Sequence, residues 1–185
     1  MLKIAIIPGS VRPNRVGATV AEWVDRLAGK RTDAEFELVD LAELDLPPLD
    51  EELPSAVGQC TRQHTRDWAA KVDSFDAFVF VTPEYNHSVP VGLKNALDLV
   101  YVEWANKVAG FVSYGIAGGI RAVEHLRLIM AELQVATVRT QLTLNSYPDF
   151  ENFYDFKPTR QHEETLNTVL DQVVSWGAAL KPVRR

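Results

Sequence analysis

The chain has 185 residues, of which 46% are hydrophobic and 24% charged, and a net charge of −6; this length builds one domain, residues 1–185, with a full core. The acidic balance speaks against nucleic acid or an anionic membrane surface as partner, and no apolar run approaches the roughly 20 residues of a membrane span. A single cysteine, Cys60, excludes an intramolecular disulfide and a cysteine-based zinc site and suits a reducing compartment such as the cytoplasm.

Leu2 to Pro8 is a nearly continuous apolar run stopped by Gly9-Ser10. It is too short for the apolar region of a signal peptide and reads as a strand buried on both faces. Gly17 to Leu27 has apolar residues at helical spacing (Val20, Trp23, Val24, Leu27), and Gly29 ends it. Phe36 to Leu41 reads as a second strand. Pro47, Pro48 and Pro54, with the acidic Asp50-Glu51-Glu52, speak against a regular element between 42 and 60. A helix is predicted from Thr61 to Val72 and a strongly apolar strand from Ala77 to Val81. Pro90 to Tyr101 reads as a helix with proline at its first position. Its apolar face continues to Trp104 through Leu93, Leu97, Val100 and Tyr101, which predicts a covered surface and hence an assembly of subunits. A strand over Val108 to Ser113, a helix over Ile120 to Leu133 and an edge strand over 136–144 follow. Residues 145–158 read as an aromatic loop, and Thr159 to Leu180 as a last helix ended by Pro182.

Strands and helices therefore alternate, which predicts parallel strands with helices on both faces, a doubly wound α/β sheet. In such sheets ligands sit beyond the carboxyl ends of the strands. Three loops there carry chemistry. The first is Gly9-Ser10-Val11-Arg12-Pro13-Asn14-Arg15-Val16-Gly17. A helix start offers free N–H groups to an anion, Ser10 and Asn14 add neutral donors, and Arg12 and Arg15 add charge in the bidentate geometry that phosphate takes. The plainer alternative is a turn with two solvated arginines. The loop is no Walker A motif, no G-x-G-x-x-G dinucleotide fingerprint and no cysteine phosphatase loop.

The second loop is Thr82 to Pro90 and the third Ser113-Tyr114-Gly115-Ile116-Ala117-Gly118-Gly119. Pro83-Glu84-Tyr85-Asn86, then Ser88-Val89-Pro90, then Leu93-Lys94-Asn95-Ala96-Leu97-Asp98, resembles the NAD(P)H-dependent FMN reductase family, which includes quinone, azo-dye and chromate reductases. The resemblance covers about residues 1 to 135 by order and spacing. It implies a flavodoxin-like fold: a five-stranded parallel sheet of order 2-1-3-4-5 in three α/β/α layers. It also implies FMN as cofactor and NADPH or NADH as electron donor. It further implies hydride transfer through the flavin N5 to a small-molecule acceptor: a quinone, azo compound, metal oxyanion or flavin. A ping-pong cycle is expected because one cleft at the switch point has room for one flat ligand over the flavin. By the same resemblance Gly9, Ser10 and Arg12 belong to the phosphate loop, and the loop chemistry adds Asn14, Arg15, Val16 and Gly17 to it. Pro83, Glu84, Tyr85 and Asn86 meet the flavin, and Ser113, Tyr114, Gly115, Gly118 and Gly119 lie against its pyrimidine end. A homodimer or homotetramer is implied as well.

No side chain need act as catalytic acid or base, because the cofactor carries the chemistry, and no metal is expected. A Pro-Glu-Tyr-Asn turn offers a flat aromatic and backbone donors that stabilise negative charge on a reduced flavin. Lys94 and Asp98, four residues apart, read either as a surface ion pair or as part of a subunit interface. His87 and Arg121 read as solvated, or as a proton donor and a nicotinamide-phosphate contact respectively. Two rival readings remain on sequence grounds: a non-enzymatic electron carrier of the flavodoxin type, against which the paired arginines speak, and a flavin-free interaction domain.

Overall fold

A computed structural model describes residues 1–184. Strands β1 (Leu2–Pro8), β2 (Ala34–Leu38), β3 (Ala77–Pro83), β4 (Val108–Gly115) and β5 (Ala136–Asn145) form one parallel sheet of order β2-β1-β3-β4-β5. Helices α1 (Val16–Ala28) and α6 (Arg160–Leu180) pack on one face, and α3 (Gln63–Asp73), α4 (Val91–Asp98) and α5 (Ile120–Glu132) on the other. The apolar runs follow from this sandwich. In β3, Val79 and Val81 join the core under α1 and α6, while Phe78 and Phe80 point the other way, toward Trp68 and Trp104. Alternation along the strand sends both sets into apolar layers, so the strand reads as continuously hydrophobic. Gly110 lets α6 lie close on β4, since a Cβ there would meet Val169 and Val173 within 2.8 Å.

Several elements differ from the sequence expectation. The second strand stops at Leu38, because Asp40 accepts a hydrogen bond from the Ala42 N–H (3.0 Å) and caps a short helix, α2 (Leu41–Leu44). Between 42 and 60 there is thus some regular structure: the end of α2 and a single 3₁₀ turn at Ser55–Val57, just after Pro54. Asn95 fastens this segment to α4 by accepting from the Leu49 N–H (2.9 Å) and donating to the Pro47 carbonyl (2.8 Å).

Helix α4 is shorter than expected. Pro90 is its extended N-cap rather than its first residue, the helix ends at Asp98, and Val102–Trp104 is a separate 3₁₀ turn. Leu93, Leu97, Val100 and Trp104 are buried in the chain's own core, and Tyr101 is partly so. The wide apolar face that predicted an assembly is therefore spent inside the subunit.

Residues 145–158 are not a plain loop. They hold a two-stranded antiparallel hairpin, β6 (Phe150–Glu151) and β7 (Asp155–Phe156). Phe156 meets Trp23 of α1 edge-on with ring centroids 5.1 Å apart, which ties the hairpin to the sandwich. Helix α6 starts at a capping box in which the Thr159 hydroxyl accepts from the His162 N–H while His162 Nδ1 accepts from the Thr159 N–H. Pro182 lies within a final 3₁₀ turn, Lys181–Val183.

Candidate functional site

The carboxyl ends of β1, β3 and β4 open onto one cleft of about 220 Å³. Its lining comes from all three loops and from the hairpin: Arg12 and Val16; Pro83, Glu84 and Tyr85; Tyr114, Gly115 and Ile116; Ser146, Phe150 and Phe153. A larger hollow of about 520 Å³ lies at the opposite end of the strands, among Asp76, Lys107 and Lys181. The smaller cleft sits where an open α/β sheet presents ligands, at the strand ends where the order reverses, and is the candidate site.

In the first loop the backbone leaves the sheet at Gly9, whose N–H still bonds the Val81 carbonyl (2.9 Å). A Cβ on Gly9 would come within 2.9 Å of Leu93. Ser10 is buried, and its hydroxyl shares a hydrogen bond with that of Tyr85 (2.9 Å), joining the first loop to the second. Asn14 turns the chain with φ 53°, in the left-handed region that Asn tolerates. No side chain caps α1, and its first turn carries no acidic residue. Its N-terminal amides therefore face the loop with the positive end of the helix dipole behind them.

The two loop arginines divide. Arg12 lines the cleft. Arg15 turns away to pair with Asp40, both side chains being largely buried, and so departs from the expectation that both guanidinium groups face an anion. Its Nε is buried without a hydrogen-bond partner. The same Asp40 caps α2, so one carboxylate holds the phosphate-type loop to the segment after β2.

The second loop is a tight turn. Tyr85 and Ser88 exchange two backbone hydrogen bonds (2.9 and 3.1 Å), with Asn86 and His87 between them at φ 49° and 73°. Two successive left-handed residues are the mark of a type I′ turn, for which Asn is well suited. Asn86 thus sits at the turn tip and does not line the cleft, whereas Tyr85 does. The Glu84 side chain is nearly buried, 6% exposed, and pairs with Arg121 of α5; it also accepts from the Arg121 N–H (3.1 Å). Burial alone would raise its carboxyl pKa. The Arg121 guanidinium and backbone donors outweigh burial and hold the group below its ordinary value. Arg121 is therefore neither simply solvated nor free. His87 and His125 rings lie 5.7 Å apart, and His125 Nδ1 contacts the Ser88 hydroxyl (3.0 Å).

The third loop is supporting structure as much as lining. The Ser113 hydroxyl is buried and donates to the Gly118 carbonyl (2.6 Å). Gly118 and Gly119 both have left-handed φ, and a Cβ on Gly119 would meet Ser113 and the Tyr114 backbone within 2.8 Å. Neither glycine, nor Ser113, lines the cleft; Gly115 and Tyr114 do. Tyr114 is 9% exposed and its hydroxyl, which makes no hydrogen bond, lies against Gly17 at the start of α1. Burial pushes the phenol's pKa up. Gly17 is required there, since a Cβ would stand 2.4 Å from Tyr114 Oη.

Sequence reasoning missed Ile116, Ser146, Phe150 and Phe153 as cleft residues, Asp40 as the partner of Arg15, and Asn95 as the anchor of the Pro47–Leu49 segment. The aromatic richness of 145–158 was the available signal for the hairpin. Lys94 and Asp98 form the expected i, i+4 pair (2.7 Å) with both side chains about half exposed. Among the described residues there is no His, Cys, Asp and Glu group able to hold a metal, and no helix long and apolar enough to cross a membrane.

Comparison with known proteins bears on this geometry. Residues 2–149 match the family described as NADPH-dependent FMN reductase. An NAD(P)H-dependent FMN reductase of Schizosaccharomyces pombe is 40% identical over 146 residues, covering 77% of this chain and 73% of the relative. A quinone reductase of Escherichia coli is 32% identical over 139 residues, covering 71% of each. Among solved structures, the flavoenzyme NAD(P)H:(acceptor) oxidoreductase FerB of Paracoccus denitrificans superposes with a TM-score of 0.74 over 97% of this chain and 98% of that one; at 19% identity it speaks for the fold alone. With three loops converging at the carboxyl ends of a 2-1-3-4-5 sheet and sequence relatives of this closeness, the chain belongs to the family of NADPH-dependent FMN reductases.

Proposed function

We propose that the cleft binds FMN and that the protein passes electrons from NADPH or NADH to a small-molecule acceptor. The observation that carries this reading is the uncapped N-terminus of α1, with Arg12 beside it, opening into the same cleft as Tyr85, Tyr114 and Gly115. The residues fit an FMN. An orphaned Tyr114 hydroxyl lies against the first turn of α1, where a phosphate oxygen would give it a partner. Ser10, Arg12, Asn14 and the amides of Val16 and Gly17 are the phosphate donors in this reading, with Arg15 holding the loop through Asp40. Pro83 to Asn86 and Ser113 to Gly119 take the ring system.

Held by these residues, FMN would supply two-electron hydride chemistry between a nicotinamide and the acceptor. The chain's own part is position and electrostatics. The Ser10 hydroxyl fixes that of Tyr85, so the Tyr85 ring is held at the cleft. The Glu84–Arg121 pair is internally neutral, and the Glu84 and Tyr85 N–H groups are spent on the Tyr114 and Ser88 carbonyls (3.1 and 2.9 Å), which fixes the turn that carries Tyr85. Quinones, azo compounds, metal oxyanions and free flavin are the acceptor classes this reading allows, with quinones first. A homodimer or homotetramer in the cytoplasm completes it. The support for assembly shifts from the buried face of α4 to exposed Val91 on that helix and exposed Leu49, which Asn95 holds against it.

A visible spectrum tests the core of the proposal. Protein mixed with FMN and freed of excess should carry a flavin spectrum, bleach with NADPH under nitrogen and regain colour with a quinone. Protein that stays colourless with added FMN refutes it.

A further inference from the structure

The hairpin β6–β7 begins just after residue 149, where the match to the reductase family ends, yet it forms the outer wall of the candidate cleft. Its stem is firmly held. Phe150 is 6% exposed and packs 5.3 Å from Phe156, the Asn145 N–H donates to Asp149 (2.6 Å), and the Lys157 N–H donates to the Asp149 carbonyl (2.8 Å). Its turn presents Phe153, 56% exposed, with φ 65° next to Asn152 at φ 51°. A bulky side chain is disfavoured in the left-handed region, where glycine is comfortable. Here a phenylalanine is kept in a strained turn and half in water, braced edge-on by Tyr147 at 5.3 Å.

The cleft has a gradient of depth. Tyr114 and Phe150 are buried, Tyr85 is 38% exposed, and Phe153 and Ile116 (56% and 75% exposed) stand at the mouth. A ligand already seated against the three loops covers the inner groups. The outer pair meets what arrives second. An exposed phenyl ring gains most from a flat aromatic guest, which sheds water from a whole face and stacks with it. We infer that Phe153 forms the outer wall of the acceptor subsite and selects planar aromatic acceptors over non-planar ones; this rests on the FMN reading above. The hairpin, rather than the loops shared with the family, then sets acceptor preference in this chain.

The test uses FMN-loaded protein and three measurements. The first is the ratio of kcat/KM for 1,4-naphthoquinone to that for ferricyanide, which is octahedral and offers no face to stack. The second is the dissociation constant of 2-naphthol, a flat non-reducible probe, by calorimetry. The third is the FMN dissociation constant by fluorescence titration. Phe153→Ala should lower the ratio and weaken 2-naphthol by about three- to tenfold, the worth of an aromatic contact, while FMN affinity changes less than naphthol affinity. Phe153→Tyr should restore both. Phe153→Gly should show the same selectivity loss with a melting temperature no lower than that of Phe153→Ala, because glycine relieves the turn. Wild-type protein that binds no FMN overturns the cofactor reading and this inference with it. Wild-type protein that binds FMN and reduces both acceptors, with ratio and naphthol affinity unmoved in Phe153→Ala, overturns this inference alone. A larger loss of FMN than of naphthol also overturns it, by assigning Phe153 to the cofactor.

Discussion

Arg12→Ala and Arg15→Ala separate two roles that the sequence gives to both residues. Arg12 lines the cleft, whereas Arg15 is paired with Asp40, with 16% and 14% of the two side chains exposed. Removing Arg12 deletes one charge-assisted contact to a phosphate. Such contacts are worth about 1.5–3 kcal/mol, so FMN affinity should fall by about one to two decades. It should not vanish, because the uncapped end of α1 and the buried Ser10 remain, the helix end alone contributing about 0.3–1 kcal/mol. Riboflavin, which lacks the phosphate, should bind both proteins alike. Arg15→Ala should act on the fold instead. It strands a mostly buried Asp40 carboxylate that keeps only its capping bond to Ala42, at a cost of about 1–3 kcal/mol in urea unfolding, with a smaller change in FMN affinity. Parallel fluorescence titrations with FMN and riboflavin, and urea midpoints for all three proteins, make the comparison. Equal losses for FMN and riboflavin in Arg12→Ala would refute the phosphate assignment. So would an Arg15 variant that loses FMN as strongly as the Arg12 variant at unchanged stability.

Gly17→Ala places a methyl 2.4 Å from Tyr114 Oη and should destabilise the flavin-free protein by about 1–3 kcal/mol. Tyr114→Phe in the same chain should recover part of that loss, and strictly additive effects in chemical unfolding would show that the two do not meet. Arg121→Ala should raise the Glu84 carboxyl pKa from its lowered value, since burial is then opposed only by the backbone N–H donors of residues 121 and 122. In the parent, the lowered pKa adds stability that is present above about pH 4.5 and lost as pH falls through the folded value. In the variant that contribution shrinks, so the stability gap between the two should widen from pH 4 to pH 7, and a constant gap would contradict this cause. Initial rates over a grid of NADPH and quinone concentrations, taken with flavin already bound, should give parallel double-reciprocal lines if donor and acceptor take turns at the one cleft mouth, as proposed; intersecting lines require a second site. Light scattering at micromolar protein should give at least a dimer mass, and a monomer mass removes the proposed assembly.

The parts of the fold legible in the sequence are those where one physical cause dominates. Strands β1 and β3 are buried on both faces, so hydrophobicity alone marks them; the loop after β1 follows from the break at Gly9, whereas β3 carries on through Thr82 and Pro83, still in register with Ser113 and Tyr114 of β4. Helix α4 was harder. Its apolar stripe is real, but Trp104 reaches the core from a separate turn, and a list of apolar positions does not distinguish a helix that continues from a chain that bends back into its own interior. The site divides in the same way. Residue types and order mark the loops, yet only tertiary contact reveals that Asp40 claims Arg15 while leaving Arg12 at the cleft, because both arginines occupy the same short segment and differ in no local property. The hairpin was least legible for a related reason. Strands of two residues carry no period to read, and the turn between them sets Asn152 and Phe153 in left-handed backbone, a conformation that sequence preference assigns to glycine. A phenylalanine held there against local preference is what the rest of the fold must impose, through the Phe150–Phe156 pair in the hairpin stem and Tyr147 beside its ring, and it is the kind of local conflict that points to a ligand rather than to the core.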